Sequence, residues 1–258
     1  MAKAREFTRR AINSAREPGD LQSAIGYELV SSLREADFGN LLRARRQMAT
    51  LALGADQGAR TLAALASARA GDSKQALALA GDLSHEFPSD TLLKGYWLPS
   101  IRAAVELNHK NPSKAIELLE TATPYELGCP QTPTNVVPYP IYLRGLAFLA
   151  IGEGPEAAVE FQKILDHPGI VGNYPLGGLA HLGLARAYAL KAGISQKANC
   201  EVNSEKCSSI VQLSPAMLAS AGKAYQDFFA LWKDADPDIP VLKQARTEFQ
   251  RLATMGSH

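Results

Sequence analysis

The chain has 258 residues, of which 46% are hydrophobic and 21% are charged, with a net charge of +1. This composition can bury a core, and it lies outside the range typical of disordered chains. The balanced charge gives no electrostatic reason to expect nucleic acid or an anionic membrane as a partner. The apolar runs fall short of the ~20 residues that span a bilayer, and the first residues lack the apolar core of a signal peptide. We therefore expect a soluble chain.

Alanine is used heavily, β-branched residues are sparse, and alternating apolar and polar runs are almost absent. Alanine is the strongest helix former, whereas strands favour β-branched residues in alternation. The composition therefore predicts an all-α fold. Residues 1–16 are predicted to form an N-terminal helix that resembles the second helix of an earlier helical pair.

A helical pair is clearest in residues 145–168. Apolar and small residues recur at helical spacing up to Gly152, and a second periodic run begins near Pro155 and stops at Pro168. Proline is tolerated in the first turn of a helix and prevents the helix from continuing when it lies beyond the last turn. This segment is therefore predicted to form a helix, a short turn and a second helix.

The same pattern recurs in series along the chain. The residues predicted at the turns of the other pairs are Gly39, Gly71, Asn111-Pro112 and Gly193. A small residue marks the same position in each second helix, where it lets the next helix approach closely: Ala44, Ala76, Ala115, Ala157 and Ala221. About five units cover residues 20–232, with an insertion at 194–218, and residues 237–254 are predicted to form a capping helix. We expect residues 1–258 to form a single domain.

This pattern resembles the tetratricopeptide repeat, a two-helix unit of about 34 residues. The positions that match are Gly145, Phe148, Gly152, Ala157 and Phe161. The resemblance implies a right-handed superhelical solenoid, in which the first helices of the units line a concave face. Several units in series support this interpretation better than one unit would.

The triplet Asp37-Phe38-Gly39 has the letters of the magnesium-binding motif of protein kinases. A kinase also needs a glycine-rich loop, a strand lysine and a catalytic loop upstream of that motif, and this chain has none of them. We therefore interpret Gly39 as a turn glycine and Phe38 as the end of the first helix of its unit. Asp37 is interpreted as a solvated or capping residue.

The sequence offers no other convincing catalytic or ligand-binding pattern. The stretch GEGPEA at 152–157 joins two predicted helices, whereas a dinucleotide-binding loop must follow a strand. The histidines lack the spacing of metal ligands. Asp234, Asp236 and Asp238 lie in a proline-rich turn and are interpreted as a solvated cap, with a divalent-cation site as the alternative. We predict no catalytic residue, no cofactor and no metal.

The three cysteines lie in two predicted loops. Cys200 and Cys207 lie in the polar insertion, and neither CxxC spacing nor a nearby histidine supports zinc. They form either a disulfide, which would imply an oxidising compartment, or two free thiols of a cytosolic loop. Cys129 lies in a proline-rich loop that we expect to be irregular and exposed, and which is a candidate contact element.

Position within the repeats predicts which side chains face a partner. The residues expected on or near the concave face are Trp97, Ile101, Tyr139, Tyr142, Arg69 and Arg102. One tetratricopeptide subclass grips C-terminal carboxylates with Lys, Asn and Arg on these helices, but the equivalent residues here are mostly Leu, Ala, Ser or Tyr. Rigid aromatic side chains instead suit a groove for a peptide or apolar segment. The alternative is that these aromatic residues pack between units.

Four longer segments resemble a particular group of tetratricopeptide proteins. They are GYWLPSIRAAVELN, AIELLETATPYELG, EFQKILDHPGIVGNYPLGGLAHLGLARAYAL and AYQDFFALWKDADPDIPVLKQA. Together they resemble the C-terminal repeat region of bacterial eukaryotic-like serine/threonine protein kinases of the acidobacterial type, over nearly the whole chain. The resemblance implies a kinase domain upstream, often followed by one membrane helix. Similar regions also follow winged-helix DNA-binding regulators.

These observations favour a non-catalytic interaction or sensory scaffold, the C-terminal repeat domain of a bacterial serine/threonine kinase. Its partner would be a protein, a peptide or another copy of the chain, with no nucleic acid and no membrane contact by the chain itself. The alternatives are the sensor arm of a winged-helix transcription regulator, a stand-alone scaffold, and an enzyme built on the solenoid. The compartment is left open between extracytoplasmic and cytoplasmic.

Overall fold

The computed structural model describes residues 1–54, 56–128, 138–172, 174–193 and 214–255. Within these ranges all regular structure is helical, which confirms the predicted all-α class. The α-helices are α1 (Ala2–Arg16), α2 (Leu21–Asp37), α3 (Leu41–Ala49), α4 (Gln57–Arg69), α5 (Ser73–Glu86), α6 (Leu98–Asn108), α7 (Pro112–Glu120), α8 (Tyr139–Ile151), α9 (Gly154–Leu165), α10 (Pro168–Val171), α11 (Leu176–Lys191), α12 (Pro215–Leu231) and α13 (Pro240–Met255). Over the described ranges, no helix combines the length and the apolar character needed to cross a membrane.

Aspartates begin several of these helices. The side chains of Asp20, Asp56 and Asp72 accept hydrogen bonds from backbone N–H groups in the first turns of α2, α4 and α5. Such caps satisfy donors that have no partner within the helix and so stabilise its first turn. The starts of these three helices are therefore fixed by local side chains.

The turn after α2 has the conformation that the sequence predicts. Gly39 has a φ of 86°, in the left-handed region where a side chain would be strained. In the third helical pair no glycine is available, and Lys110 adopts a φ of 62° instead. Lys110 is the one non-glycine residue with a positive φ in the described part of the chain.

A π-helical turn, Leu93–Trp97, runs directly into α6. Pro99 follows it, and a proline within a helix has no N–H to donate and crowds the carbonyl four residues earlier. The wider π turn accommodates this residue, as π turns commonly do where an α-helical hydrogen bond is missing. Tyr96 and Trp97 in this turn are both buried, and their rings meet edge to face at 4.8 Å.

The helices pack as consecutive pairs. We call α2, α4, α6, α8 and α11 the first helices, and α3, α5, α7, α9 and α12 the second helices. Each first helix from α4 onwards packs against both helices of the preceding pair. The small residues predicted at these crossings, Ala44, Ala76, Ala115, Ala157 and Ala221, are all 0% exposed, which confirms their packing role.

Phe161 shows how closely these helices approach. Its ring lies between Gly145 of α8 and Gly183 of α11, and a Cβ on these glycines would lie 2.8 Å and 2.5 Å from ring atoms. Only glycine fits at this distance, so Phe161 on α9 fills the space between two neighbouring first helices.

The two ends of the helical series meet. Phe38, which caps α2, packs edge to face on Trp232 at the end of α12, with ring centroids 4.8 Å apart. The backbone N–H of Val241 in α13 donates to the carbonyl of Phe38 over 3.2 Å. The first and last helical pairs are therefore in direct contact, and the series closes on itself.

Candidate functional site

The structure buries most of the side chains that the sequence assigns to a concave binding face. Trp97 is 5% exposed, Tyr142 is 6% exposed, and both Ile101 and Tyr139 are 0% exposed. The expectation that they line an open groove is therefore wrong, and the alternative of packing between helical pairs applies. Tyr139 contacts Asp37 and Tyr174, and Tyr142 lies against Arg69. Arg102 is exposed on α6, whereas Arg69 is largely covered.

Asp37 is buried among these residues, in contact with Arg69 and Tyr139. Its carboxylate is 0% exposed and accepts a 2.9 Å hydrogen bond from Nε of Arg69, at the end of α4. The Tyr139 hydroxyl, at the start of α8, donates to the other carboxylate oxygen. The interpretation of Asp37 as a solvated or capping residue is thus corrected, because this side chain is a buried ion-pair partner.

Two more tyrosines complete what we call the inner cluster, defined as Asp37, Arg69, Tyr139, Tyr142 and Tyr174. The Tyr174 hydroxyl lies 3.4 Å from that of Tyr139. The Arg69 guanidinium lies 5.7 Å from the centroid of the Tyr142 ring, in cation–π range. The cluster therefore joins residues of α2, α4 and α8 and the segment before α11.

Burial dominates the electrostatics of the inner cluster. It raises the pKa of the Asp37 carboxyl, although the charge of Arg69 and the Tyr139 hydrogen bond act in the opposite direction. Burial also raises the pKa of Tyr142 to about 12 and the pKa values of Tyr139 and Tyr174 well above their ordinary value. The tyrosines therefore remain neutral hydrogen-bonding groups over the physiological range.

A second buried charge network lies on α8 and α9. One guanidinium nitrogen of Arg144 donates 2.7 Å hydrogen bonds to both Glu126 and Glu160. Lys163 makes an ion pair with the other oxygen of Glu126. Two cations thus balance two carboxylates, and the network holds the segment after α7 against α8 and α9.

The charged groups of both networks are engaged in ion pairs within the protein. Each carboxylate of the two networks is paired with a cation, and Asp37 and Glu126 have almost no exposure. Within the described ranges, no group of three or more His, Cys, Asp or Glu side chains is placed to hold a metal ion.

An open depression runs along the exposed face of α3. This α3 groove has a volume of about 820 Å³. Its lining residues are Gly39, Asn40, Leu41, Leu42, Arg43, Arg46, Gln47 and Thr50. The sequence analysis missed it, although one signal was present: two leucines precede three arginines in a helix whose buried residues are Ala44 and Met48.

Two of the remaining predicted sites lie outside the described residues. These are Cys129 with its proline-rich loop, and the proposed pair Cys200 and Cys207 in the insertion. Asp236 lies within the described part, where its carboxylate accepts a hydrogen bond from the backbone N–H of Ala2.

Comparison with models of known protein families, with curated proteins and with solved structures finds no match for this chain.

Proposed function

We propose that this chain is a non-catalytic protein-interaction scaffold, built as a right-handed superhelical solenoid of tetratricopeptide-like helical pairs. The packing of each first helix on both helices of the preceding pair supports this arrangement. Stacked pairs of this kind bury a continuous core and leave extended helical faces for partners.

The observation that carries the proposal is how the buried charged groups are used. Asp37 is paired with Arg69, and Arg144 is paired with Glu126 and Glu160. These buried charged side chains therefore hold helices together. An enzyme instead directs such groups into a cavity. The α3 groove is an open helical surface that is left for recognition.

We further propose that the scaffold belongs to a bacterial serine/threonine protein kinase, as its C-terminal repeat region. The support is the resemblance of the four segments named above. In this arrangement a protein or peptide, or a second copy of the chain, would bind to the repeats, and the attached kinase would respond.

Two experiments test this proposal at its two levels. The purified chain is expected neither to bind nor to hydrolyse ATP, and measurable turnover by this chain would overturn the scaffold. Sequencing the native gene upstream is expected to reveal a kinase domain with its catalytic loop and magnesium-binding motif. A winged-helix domain there would show that the scaffold belongs to a transcription regulator instead of a kinase. The scaffold proposal would remain.

A further inference from the structure

The α3 groove combines exposed apolar side chains with unpaired cations. Leu42 is 70% exposed and Leu41 is 40% exposed. Leu42, Arg43, Arg46 and Thr50 recur at the spacing of one helical face, so they form a continuous stripe. When a partner covers exposed leucines, apolar surface is removed from water, which is favourable. Adjacent exposed leucines on a helix are therefore typical of a contact surface.

The arginines of α3 divide into two kinds. Arg45 faces the body of the protein, where its Nε donates a 2.8 Å hydrogen bond to the carbonyl of Ala70. Arg43 and Arg46 are exposed and line the groove, and no carboxylate of the described residues pairs with either of them. Their charge is therefore available to a partner.

Glu35 lies at the edge of the groove but does not neutralise its arginines. It reaches this edge through Asn40, which donates a 2.9 Å hydrogen bond to the Glu35 carboxylate. The same carboxylate is 0% exposed and receives two hydrogen bonds from Arg5. Glu35 is therefore fully engaged, and the groove keeps a net positive charge.

The other second helices differ from α3. Each of them carries at least one acidic residue together with a cation: Lys74 and Glu86 on α5, Lys114 and Glu117 on α7, Glu160 and Lys163 on α9, and Lys223 and Asp227 on α12. The nine residues of α3 contain three arginines and no acid. Among the second helices, α3 alone thus places uncompensated positive charge beside exposed leucines.

We infer that the α3 groove binds an acidic amphipathic segment of a partner protein, with apolar side chains over Leu41 and Leu42 and carboxylates beside Arg43 and Arg46. This rests on the proposed scaffold function and deepens it by naming a surface and a partner chemistry. Arginine suits this role because its guanidinium pairs with carboxylates in a fixed, often bidentate geometry. A helix laid into an apolar groove is a common form of peptide recognition.

A nucleic acid fits the groove less well than a peptide. None of the lining residues is aromatic, so bases would have no stacking surface. Two cations would neutralise few phosphates, and the leucines would face a sugar–phosphate backbone without an apolar contact. A single-stranded oligonucleotide therefore serves as the comparison ligand in the test below.

The test measures fluorescence anisotropy of a labelled peptide of about 18 residues, or five helical turns. It carries leucine at positions i, i+3, i+4 and i+7 and glutamate at most others. We expect saturable binding with a Kd on the order of 10 μM, since a groove on one helix buries a small area. The same peptide with glutamine for every glutamate is expected to bind at least about tenfold more weakly.

Paired variants locate the site. R43E/R46E is expected to weaken binding by at least about tenfold, whereas K74E/K94E makes the same total charge change on other elements and leaves the Kd within about twofold. Leu42→Ser is expected to weaken binding by about fivefold, and Val159→Ser, at a residue 65% exposed on α9, serves as its control. Circular dichroism verifies that each variant is folded.

Three results would overturn the inference. The first is no binding of the acidic peptide, the second is equal weakening by the groove and control variants, and the third is equal or tighter binding of a single-stranded oligonucleotide of the same length. None of these results bears on ATP turnover, so the scaffold proposal and the groove inference can fail separately.

Discussion

The hydroxyl of Tyr139 donates a hydrogen bond to the carboxylate of Asp37, although 102 residues separate them in sequence. Asp37 ends the first helix of the first complete pair, and Tyr139 begins the first helix of the fourth. This contact spans the helical series, and Arg69 from the second pair joins it. The concave face, which the repeat pattern predicts to be open to a partner, is therefore filled by the protein's own side chains.

Replacing Asp37 tests the importance of this cluster for stability. Asp37→Asn leaves the Arg69 guanidinium buried without its counter-ion, and we expect a loss of about 3–5 kcal/mol in the free energy of unfolding. Urea denaturation followed by circular dichroism measures it. Asp234→Asn, at an exposed position, is the matched control and is expected to change stability by less than about 0.5 kcal/mol.

A double variant distinguishes charge from shape in the same cluster. D37L/R69M removes both charges, and we expect it to be more stable than Asp37→Asn alone, because no unpaired charge remains. D37L and R69M each lower the free energy of unfolding by some amount. If the double variant lowered it by the full sum of these two amounts, the ion pair would not contribute to stability.

The glycines around Phe161 test the close approach of α8 and α11. Gly183→Ala places a Cβ about as close as 2.5 Å to the Phe161 ring, and we expect a destabilisation of about 1–3 kcal/mol from overpacking. Gly81→Ala on α5 is the control, since its Cβ would meet nothing within 4 Å. This control is expected to stabilise by roughly 0.5–1 kcal/mol, because alanine favours the helix.

Phe161→Leu should restore part of the stability of Gly183→Ala, because a smaller side chain gives room to the added methyl group. A Gly183→Ala variant as stable as Gly81→Ala would show that the two helices can separate without cost.

Alkaline pH is expected to unfold the protein through its buried tyrosines. As the pH rises above 10.0, tyrosines of the unfolded chain ionise, while Tyr142 stays neutral in the folded state up to its raised pKa of about 12. A raised folded-state pKa contributes stability that is present at lower pH and is lost as the pH rises. For Tyr142 alone the loss reaches roughly 2–3 kcal/mol, at about 1.4 kcal/mol per pKa unit.

Tyrosinate absorbance and far-ultraviolet circular dichroism measure this transition together. We expect the buried tyrosines, Tyr139 and Tyr174 among them, to ionise only as helicity is lost, and Tyr142→Phe to shift the alkaline midpoint upward. Ionisation of these residues with full retention of helicity would contradict the burial of the inner cluster.

The contact between the two ends is tested by hydrogen exchange. Phe38→Ala removes the ring that packs on Trp232, and we expect faster exchange at the Val241 amide, which donates to the Phe38 carbonyl. Amides in the middle of the series, on α4 to α9, should retain their protection. Phe7→Ala, at a residue 60% exposed on α1, is the control and should leave Val241 unaffected.

Local features of this fold follow directly from the sequence. The all-α class, the left-handed turn at Gly39 and the burial of Ala44, Ala76 and Ala115 were predictable, because helix propensity, turn geometry and helical spacing act over a few neighbouring residues. The rejection of a kinase motif at Asp37-Phe38-Gly39 also needed the sequence alone, since the rest of the motif set is absent.

Only the tertiary structure decided which side chains are free to bind. Whether Asp37 meets Tyr139 depends on how helices far apart in the sequence pack against one another, which no local pattern specifies. This packing buried Trp97, Ile101, Tyr139 and Tyr142, and it left Leu42, Arg43 and Arg46 exposed. The sequence by itself determined the helices and their turns, whereas the geometry of packing determined the surface.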